Sequence, residues 1–314
     1  MPCFDPKAFI DDAFKYIRSI LVPDSRILAA CSGGIDSTVS AVLVSKALGK
    51  PIEAVYIDDG LRRIGEAEDT VKLLRSIGLK PFIYDARNEV VSGLRGIVDP
   101  EEKRKTFREL FYNILGRIAK ENNVRYVVQG TIAADIVETV KGVKTQHNVL
   151  EQLGIDVSVK YGFNVIEPLR SLYKWQVRMV AQELELPIEI IERKPFPGPG
   201  LAVRVIGEVT WDKLEILRKA TKIVEEETVD VNAFQSFAVL LDSKATGIKN
   251  ESRIYGYIIA VRIVSSSDAL TARFVEVPYN KLRRISERIT SEIPEVTRVL
   301  YDITDKPPAT IEFE

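Results

Sequence analysis

The sequence predicts an α/β chain: a parallel sheet wrapped by helices, followed by a smaller α+β domain. Three observations carry this. In the first half, short apolar β-rich runs alternate with helical stretches, as strand–helix–strand units do. Small and polar residues gather at the carboxyl ends of those runs, where open parallel sheets bind ligands. Around residues 192–205, "ERKPFPGPGLAVRV" interrupts every periodicity with prolines and glycines, and the order of elements changes beyond it. The domain boundary placed there gives residues 1–193 and 194–314.

Each element follows from its local pattern. A helix near residues 6–20 precedes the strand "RILAAC", a glycine turn and a helix reaching about Leu48. "PIEAVYID" is the second strand, and a charged helix runs from it to Gly78. "KPFIYDA" is the third strand, a long helix spans roughly 101–122, and "RYVVQG" is the fourth strand. Residues 139–163 have glycines, scattered lysines and no clean period, which suits a lid. The helix "KWQVRMVAQELEL" follows. The second domain reads as a helix at 210–228, strands near 236–241 and 256–264, a helix at 278–291 and the strand "RVLYDI".

With 314 residues, 46% of them hydrophobic, the chain can core one large or two ordinary domains. A net charge of −1 gives no general case for nucleic acid. The mixed run Glu101-Glu102-Lys103-Arg104-Lys105 reads as a solvated helix face. The first residues carry acids and no long apolar run, which argues against a signal peptide or membrane span. Two cysteines, Cys3 and Cys31, make no disulfide framework and point to a reducing cytoplasm. His147 is the single histidine and no CxxC pair occurs. Histidine-rich metal sites, zinc ribbons and thiol relays are therefore poorly supported. Phosphates, magnesium and backbone amides are the chemistry left.

The stretch "LAACSGGIDSTVSAVLV", residues 28–44, is where that chemistry concentrates. A helix N-terminus offers unpaired amides and about half a positive charge, worth only about 1 kcal/mol to an anion. A polyphosphate needs more donors. Gly33 and Gly34 let successive N–H groups point into one concavity, and Ser32, Ser37 and Thr38 add hydroxyls. Asp36 repels phosphate unless a cation such as Mg²⁺ lies between them. The Walker pattern is absent.

This S-G-G-x-D-S-T form resembles the pyrophosphate loop of the N-type ATP pyrophosphatases, which cleave ATP between its α- and β-phosphates. "KPFPGPGLAVRVIGEVT" and "VLYDITDKPPATIEFE" resemble two signature stretches of the GMP synthetases, and the resemblance runs from Phe9 to Glu314. "GVKTQHNV", "VIEPLRSLYKWQVR" and "VVQGTIAADIVET" are similar to that family's lid, following helix and QGT segment. The resemblance implies an adenine-nucleotide alpha-hydrolase-like domain and a C-terminal dimerisation domain. It implies ATP-dependent amination of XMP to GMP through an adenylyl intermediate, with Mg²⁺ as cofactor.

Carried over by residue, the resemblance gives ATP contacts to Ser32, Gly33, Gly34, Ile35, Asp36, Ser37, Thr38, Ile57 and Gly130. Asp36 and Asp135 would serve the metal, and Asp36, Lys144, His147 and Lys174 the reaction. Pro197, Gly198, Gly200, Arg204, Gln235, Lys306 and Glu312 would hold XMP, the Pro195–Gly200 loop receiving its phosphate on open amides. Two positions depart from the family: Gln146-His147 replaces the paired lid histidines, and Ile132-Ala133-Ala134 lacks the proline common before Asp135. Cys3, Cys31 and the single histidine are not expected to build the Cys-His-Glu triad of a glutaminase, so ammonia is expected from a separate glutamine amidotransferase subunit, with the chain itself a homodimer. NAD synthetases share the loop, and a nucleotide sensor without turnover is the rival outside the enzymes.

Overall fold

The structure, a computed structural model, describes residues 4–140, 156–266 and 269–314, without the side chains of 137–140. Two compact units divide the chain, and each is described by itself.

The first unit comprises residues up to Asp58, Gly65–Ala86 and Arg108–Arg193. Its elements are α1 (Pro6–Ile20), β1 (Arg26–Ala30), α2 (Ile35–Leu48), β2 (Glu53–Asp58), α3 (Glu66–Ser76) and β3 (Lys80–Asp85). After α4 (Arg87–Gly93), which belongs to the second unit, come α5 (Pro100–Glu121), of which the residues to Phe107 also count with the second unit, β4 (Val124–Val128) and α6 (Ala133–Val140). Then follow α7 (Val157–Tyr161), β5 (Asn164–Ile166), α8 (Lys174–Glu183) and α9 (Ile188–Ile191). The sheet is parallel, in the order β3-β2-β1-β4-β5. Asp5 caps α1 by accepting from the amides of Lys7 and Ala8, and Gly49 ends α2 in the left-handed conformation. Helix α2 is buried nearly all round, because α1, α8, α9, β1 and β4 all pack on it.

Register fixes which residues reach the carboxyl edge. Ala30 pairs with Val55 and Ala29 with Val128. Two residues further on, Ser32 is level with Ile57, and Gly130 with Cys31. The start of α2 and the ends of β2 and β4 therefore share one edge.

The second unit comprises Asp59–Ile64, Arg87–Phe107 and Lys194–Glu314. A division at 193/194 counts the first two segments with the first domain by order alone, but their contacts lie elsewhere. Leu61 is fully buried and its carbonyl accepts from Leu201 N at 2.8 Å. Lys103, read above as part of a solvated face, is likewise fully buried, with its ammonium on the carbonyls of Val205 (2.7 Å) and Ala202 and on the Glu314 carboxylate. The reading holds for Glu101, Glu102 and Lys105, which are exposed, and fails at Lys103 because a charge run gives composition and not the direction each side chain takes.

A 3₁₀ turn at Gly200–Arg204 leads to α10 (Trp211–Glu227), β6 (Gln235–Lys249), β7 (Ser252–Ser265), β8 (Arg273–Phe274), α11 (Tyr279–Glu292) and β9 (Val296–Tyr301). β6 and β7 form an antiparallel hairpin, while β9 lies parallel and β8 antiparallel to β7. The hairpin is longer than the sequence predicts. Beyond the irregularity at Leu241/Lys244 its strands turn polar and exposed, so no apolar run marks them. Among the described residues, no helix is long and apolar enough to cross a membrane.

Candidate active site

In the first unit the chain leaves β1 with Cys31 N bonded to Val55 O at 2.9 Å. Burial pushes the Cys31 thiol up to about 12, so it packs as an apolar group and supplies no thiolate. Gly33 follows at φ +76°, and a Cβ there would lie 2.3 Å from Arg193 Nη1 and within 3 Å of Thr70. Gly34 caps α2 without a side chain, and the helical ladder starts only with Thr38 N on Gly34 O at 3.1 Å. The amides of residues 35–37 precede the ladder with no side chain of the described residues on them, which leaves an anion cradle. Ser37 Oγ donates to Gly34 O at 3.1 Å and lies 3.4 Å from Ser32 Oγ.

Two contacts fix this turn from outside. A Cβ on Gly130 would come within 2.4 Å of Ser37 N and 2.6 Å of Asp36 C. Gly130 thus lets the end of β4 lie directly on the first turn of α2. Arg193, which the sequence reading did not single out, donates to Gly33 O at 2.9 Å and pairs with the nearly buried Glu66 at 2.7 Å. Nothing local in the sequence marks Arg193 for this, since it lies 160 residues from Gly33.

Lys174, the first residue of α8, places Nζ 2.5 Å from Asp36 Oδ2. Asp36 Oδ1 is buried and has no hydrogen-bond partner among the described residues. A carboxylate oxygen left bare beside open amides suits a divalent cation that also takes phosphate oxygens. The described residues contain no group of three or more His, Cys, Asp or Glu able to hold a metal by themselves. Asp135 Oδ2 accepts from Ile132 N at 3.0 Å, which gives it a capping role at the head of α6. Ile57 is buried near the end of β2. Lys144 and His147 lie outside the described residues.

The second unit gathers the other expected residues. Gly200 sits at φ +61° with its Cα hydrogen facing Leu61, where a Cβ would lie 2.3 Å from the carbonyl oxygen. Gln235 donates to Pro195 O at 2.8 Å. Arg204 is 1% exposed and bonds Glu312 through two parallel contacts of 2.8 and 2.9 Å. The Phe237 ring lies 3.9 Å and the Phe196 ring 4.8 Å from its guanidinium carbon. Its Nη1 is buried without a partner among the described residues. Lys306 pairs through its backbone with Ala272 and donates from Nζ to Ala269 O at 2.8 Å.

The expectation of open amides along Pro195–Gly200 needs narrowing. Three of the six residues are proline, and Gly200 N is spent on Pro197 O at 2.9 Å. Asp59, a polar residue just past the carboxyl end of β2 where such sheets bind ligands, is instead buried, its carboxylate taken up by Arg62 and Leu61 N. Arg262 is a further residue the sequence did not reveal. Fully buried, it bonds Asp302, Thr304 O, Thr310 O and Ile311 O, and so holds the segment carrying Glu312.

Comparison with known proteins separates what the two units share with others. Residues 15–199 match the family model described as NAD synthase, and residues 222–313 match the GMP synthase C terminal domain. An NMN synthetase from Francisella tularensis superposes with a TM-score of 0.49 at 20% identity, over 63% of this chain and 78% of that one. A subunit of the glutamine-hydrolyzing GMP synthase of Methanocaldococcus jannaschii is 50% identical, covering 99% of this chain and 100% of that protein. The corresponding subunits from Archaeoglobus fulgidus (52%, covering 99% and 100%) and Pyrococcus furiosus (48%, covering 98% and 97%) are similarly close. The first family match is common ground with other nucleotide-using synthetases, and the second, with the full-length identity, decides between them: the chain belongs to the family of glutamine-hydrolyzing GMP synthase subunits.

Proposed function

We propose that this chain is the synthetase subunit of a two-subunit GMP synthase, an ATP-dependent ligase that aminates XMP. The C2 oxygen of XMP attacks the α-phosphate of ATP, giving adenylyl-XMP and pyrophosphate. Ammonia then displaces AMP from C2 and yields GMP. The observation that carries the reading is the bare Asp36 Oδ1 beside the uncapped start of α2. Mg²⁺ held there would neutralise charge on the leaving pyrophosphate.

In this reading the residues of the chain bind and orient. The 35–37 amides with Ser32, Ser37 and Thr38 grip the β- and γ-phosphates, and Gly33 and Gly130 keep that cradle free of side chains. Lys174 holds Asp36 and supplies positive charge as the bond to pyrophosphate breaks. Lys144 and His147 act from the lid, and Ile57 borders adenine. Gly198 in the proline-glycine loop meets the XMP phosphate; Arg204, through its unpartnered Nη1, and Gln235, Lys306 and Glu312 complete that site. No covalent enzyme nucleophile is needed, so positioning and charge neutralisation carry the rate. A separate amidotransferase subunit supplies ammonia, the chain forms a homodimer through its second domain, and the enzyme works in the cytoplasm.

The test supplies ATP, Mg²⁺ and ammonium with either XMP or deamido-NAD. XMP-dependent release of pyrophosphate and formation of GMP is expected, with glutamine unable to replace ammonium. Turnover with deamido-NAD alone, or glutamate formed from glutamine by the purified chain, overturns the reading. Light scattering checks the dimer separately.

A further inference from the structure

We infer that Asp59 and Arg62 are positioning residues for the purine monophosphate, because they set which way the Pro197–Gly198 peptide faces. The inference rests on the reading that this loop receives the XMP phosphate. Neither residue is among those the family resemblance assigns to a ligand, and both belong to the stretch Asp59–Ile64 that packs within the second unit.

The geometry is that of a strut. The Asp59 carboxylate is 1% exposed and accepts from Leu61 N at 2.9 Å. It also accepts from Arg62 Nε at 3.0 Å and Nη2 at 2.5 Å, which locks one edge of the guanidinium plane. The other edge reaches the loop: Nη2 donates to Gly198 O at 2.7 Å and Nη1 to Pro197 O at 3.3 Å. Only a planar fork with donors on two edges can hold a carboxylate and two successive carbonyls at once, so lysine is no substitute.

The consequence lies on the opposite face of the peptide. The Pro197–Gly198 bond is trans, since the two cis bonds of the described residues are Lys306–Pro307 and Pro307–Pro308. In a trans peptide the C=O and N–H point in opposite directions. With Pro197 O turned to Arg62 and Gly200 N, the Gly198 N–H is turned away from both. It has no acceptor among the described residues. Proline at 197 and 199 removes competing donors, and Gly200 N is already used. Gly198 N–H is therefore a donor the loop presents to an anion, and Arg62 is what keeps it presented.

The test is calorimetric binding of XMP and of xanthosine, which lacks the phosphate, to the full chain and to Arg62→Lys, Arg62→Met and Asp59→Asn. A misdirected donor to a charged group predicts that XMP affinity falls about tenfold in the variants. Xanthosine affinity and the KM for ATP should stay near wild type, a split that general destabilisation does not produce. Arg62→Lys, the mildest change, keeps the experiment open if Arg62→Met fails to fold. Unchanged XMP affinity in folded variants, or equal losses for XMP, xanthosine and ATP, overturns the positioning role while leaving the function intact. If the unmodified chain binds XMP no better than xanthosine, the phosphate reading of the loop falls, and this inference with it.

Discussion

Residues 32–38 and residues 195–204 are both glycine-bearing loops, held by opposite means. The first is shaped by missing side chains: Gly33, Gly34 and Gly130 leave room where a Cβ would strike a neighbour or cover an amide. Its charged ties are Arg193 on the Gly33 carbonyl and Lys174 on Asp36. The second is shaped by buried charge. Arg62–Asp59, Arg204–Glu312 and Lys103–Glu314 surround it, and Arg262–Asp302 fixes the segment that supplies Glu312. A backbone cradle tolerates little added volume, whereas a charged frame tolerates little loss of a partner. The two loops should therefore fail in different ways.

The largest effect is expected in the frame. Lys103→Met leaves the Glu314 carboxylate, 5% exposed, without its cation. Breaking a buried pair from one side costs roughly 3–5 kcal/mol. Burial already pulls the Lys103 ammonium below its ordinary range, against the Glu314 carboxylate that raises it, so the pair is a compromise and not a free gain. Lys103→Met with Glu314→Gln should recover part of the loss. Denaturant unfolding followed by the fluorescence of Trp175 and Trp211 measures both, and a single-variant loss of under about 1 kcal/mol would show that the pair does not hold the frame.

In the cradle, charge and volume can be tested apart. Asp36→Asn keeps the shape but removes the carboxylate proposed for Mg²⁺, and pyrophosphate release should fall about 10²–10³-fold with stability nearly unchanged. Gly130→Ala should cost about 100-fold, because its Cβ meets the backbone of Ser37, where nothing flexible can yield. Gly49→Ala is the control: at φ +63° it is strained, yet nothing lies within 4 Å of the added carbon, so stability should drop by about 1–2 kcal/mol without loss of turnover per folded molecule. Similar activity for the two alanine variants would refute the view that the first loop works by excluded volume.

This contrast explains what could be read from sequence. The cradle is contiguous from Ser32 to Thr38, and strand periodicity places Gly130 and Ile57 on the same edge, so local pattern is enough. The proline-glycine loop is visible as a fixed shape, but its fixings are not. Arg62 lies 136 residues from Gly198, Arg204 lies 108 from Glu312, and Lys103 lies 211 from Glu314. Pairing at such separations leaves no periodicity, and a charged residue looks the same in a buried pair as on a solvated face. The outer half of the β6–β7 hairpin escapes for the related reason that neither of its faces is buried enough to impose an alternation.

The smallest effect tests whether burial, and not charge pairing itself, distinguishes the frame. Arg288 on α11 meets three carboxylates where Arg204 meets Glu312: Glu226 at 2.9 Å, Glu227 at 3.0 Å and Glu292 at 2.7 Å. The Glu292 side chain is half exposed, and water and salt screen it. The hydrogen bond from Arg288 lowers the Glu292 pKa from its ordinary 4.5. A carboxyl whose folded pKa is depressed contributes stability that is fully present above the unfolded value and disappears as pH falls through the folded one. Glu292→Gln should therefore lower the melting temperature slightly at about pH 7, and the gap should close as pH falls through the depressed folded pKa. The gap at neutral pH should also shrink in about 1 M salt, where the screening length is near 3 Å. The Lys103→Met loss should survive the same salt, because neither Lys103 nor Glu314 is open to solvent. If both losses shrink alike, the frame around residues 195–204 is held by ordinary surface electrostatics, and the distinction between the two loops reduces to glycine content.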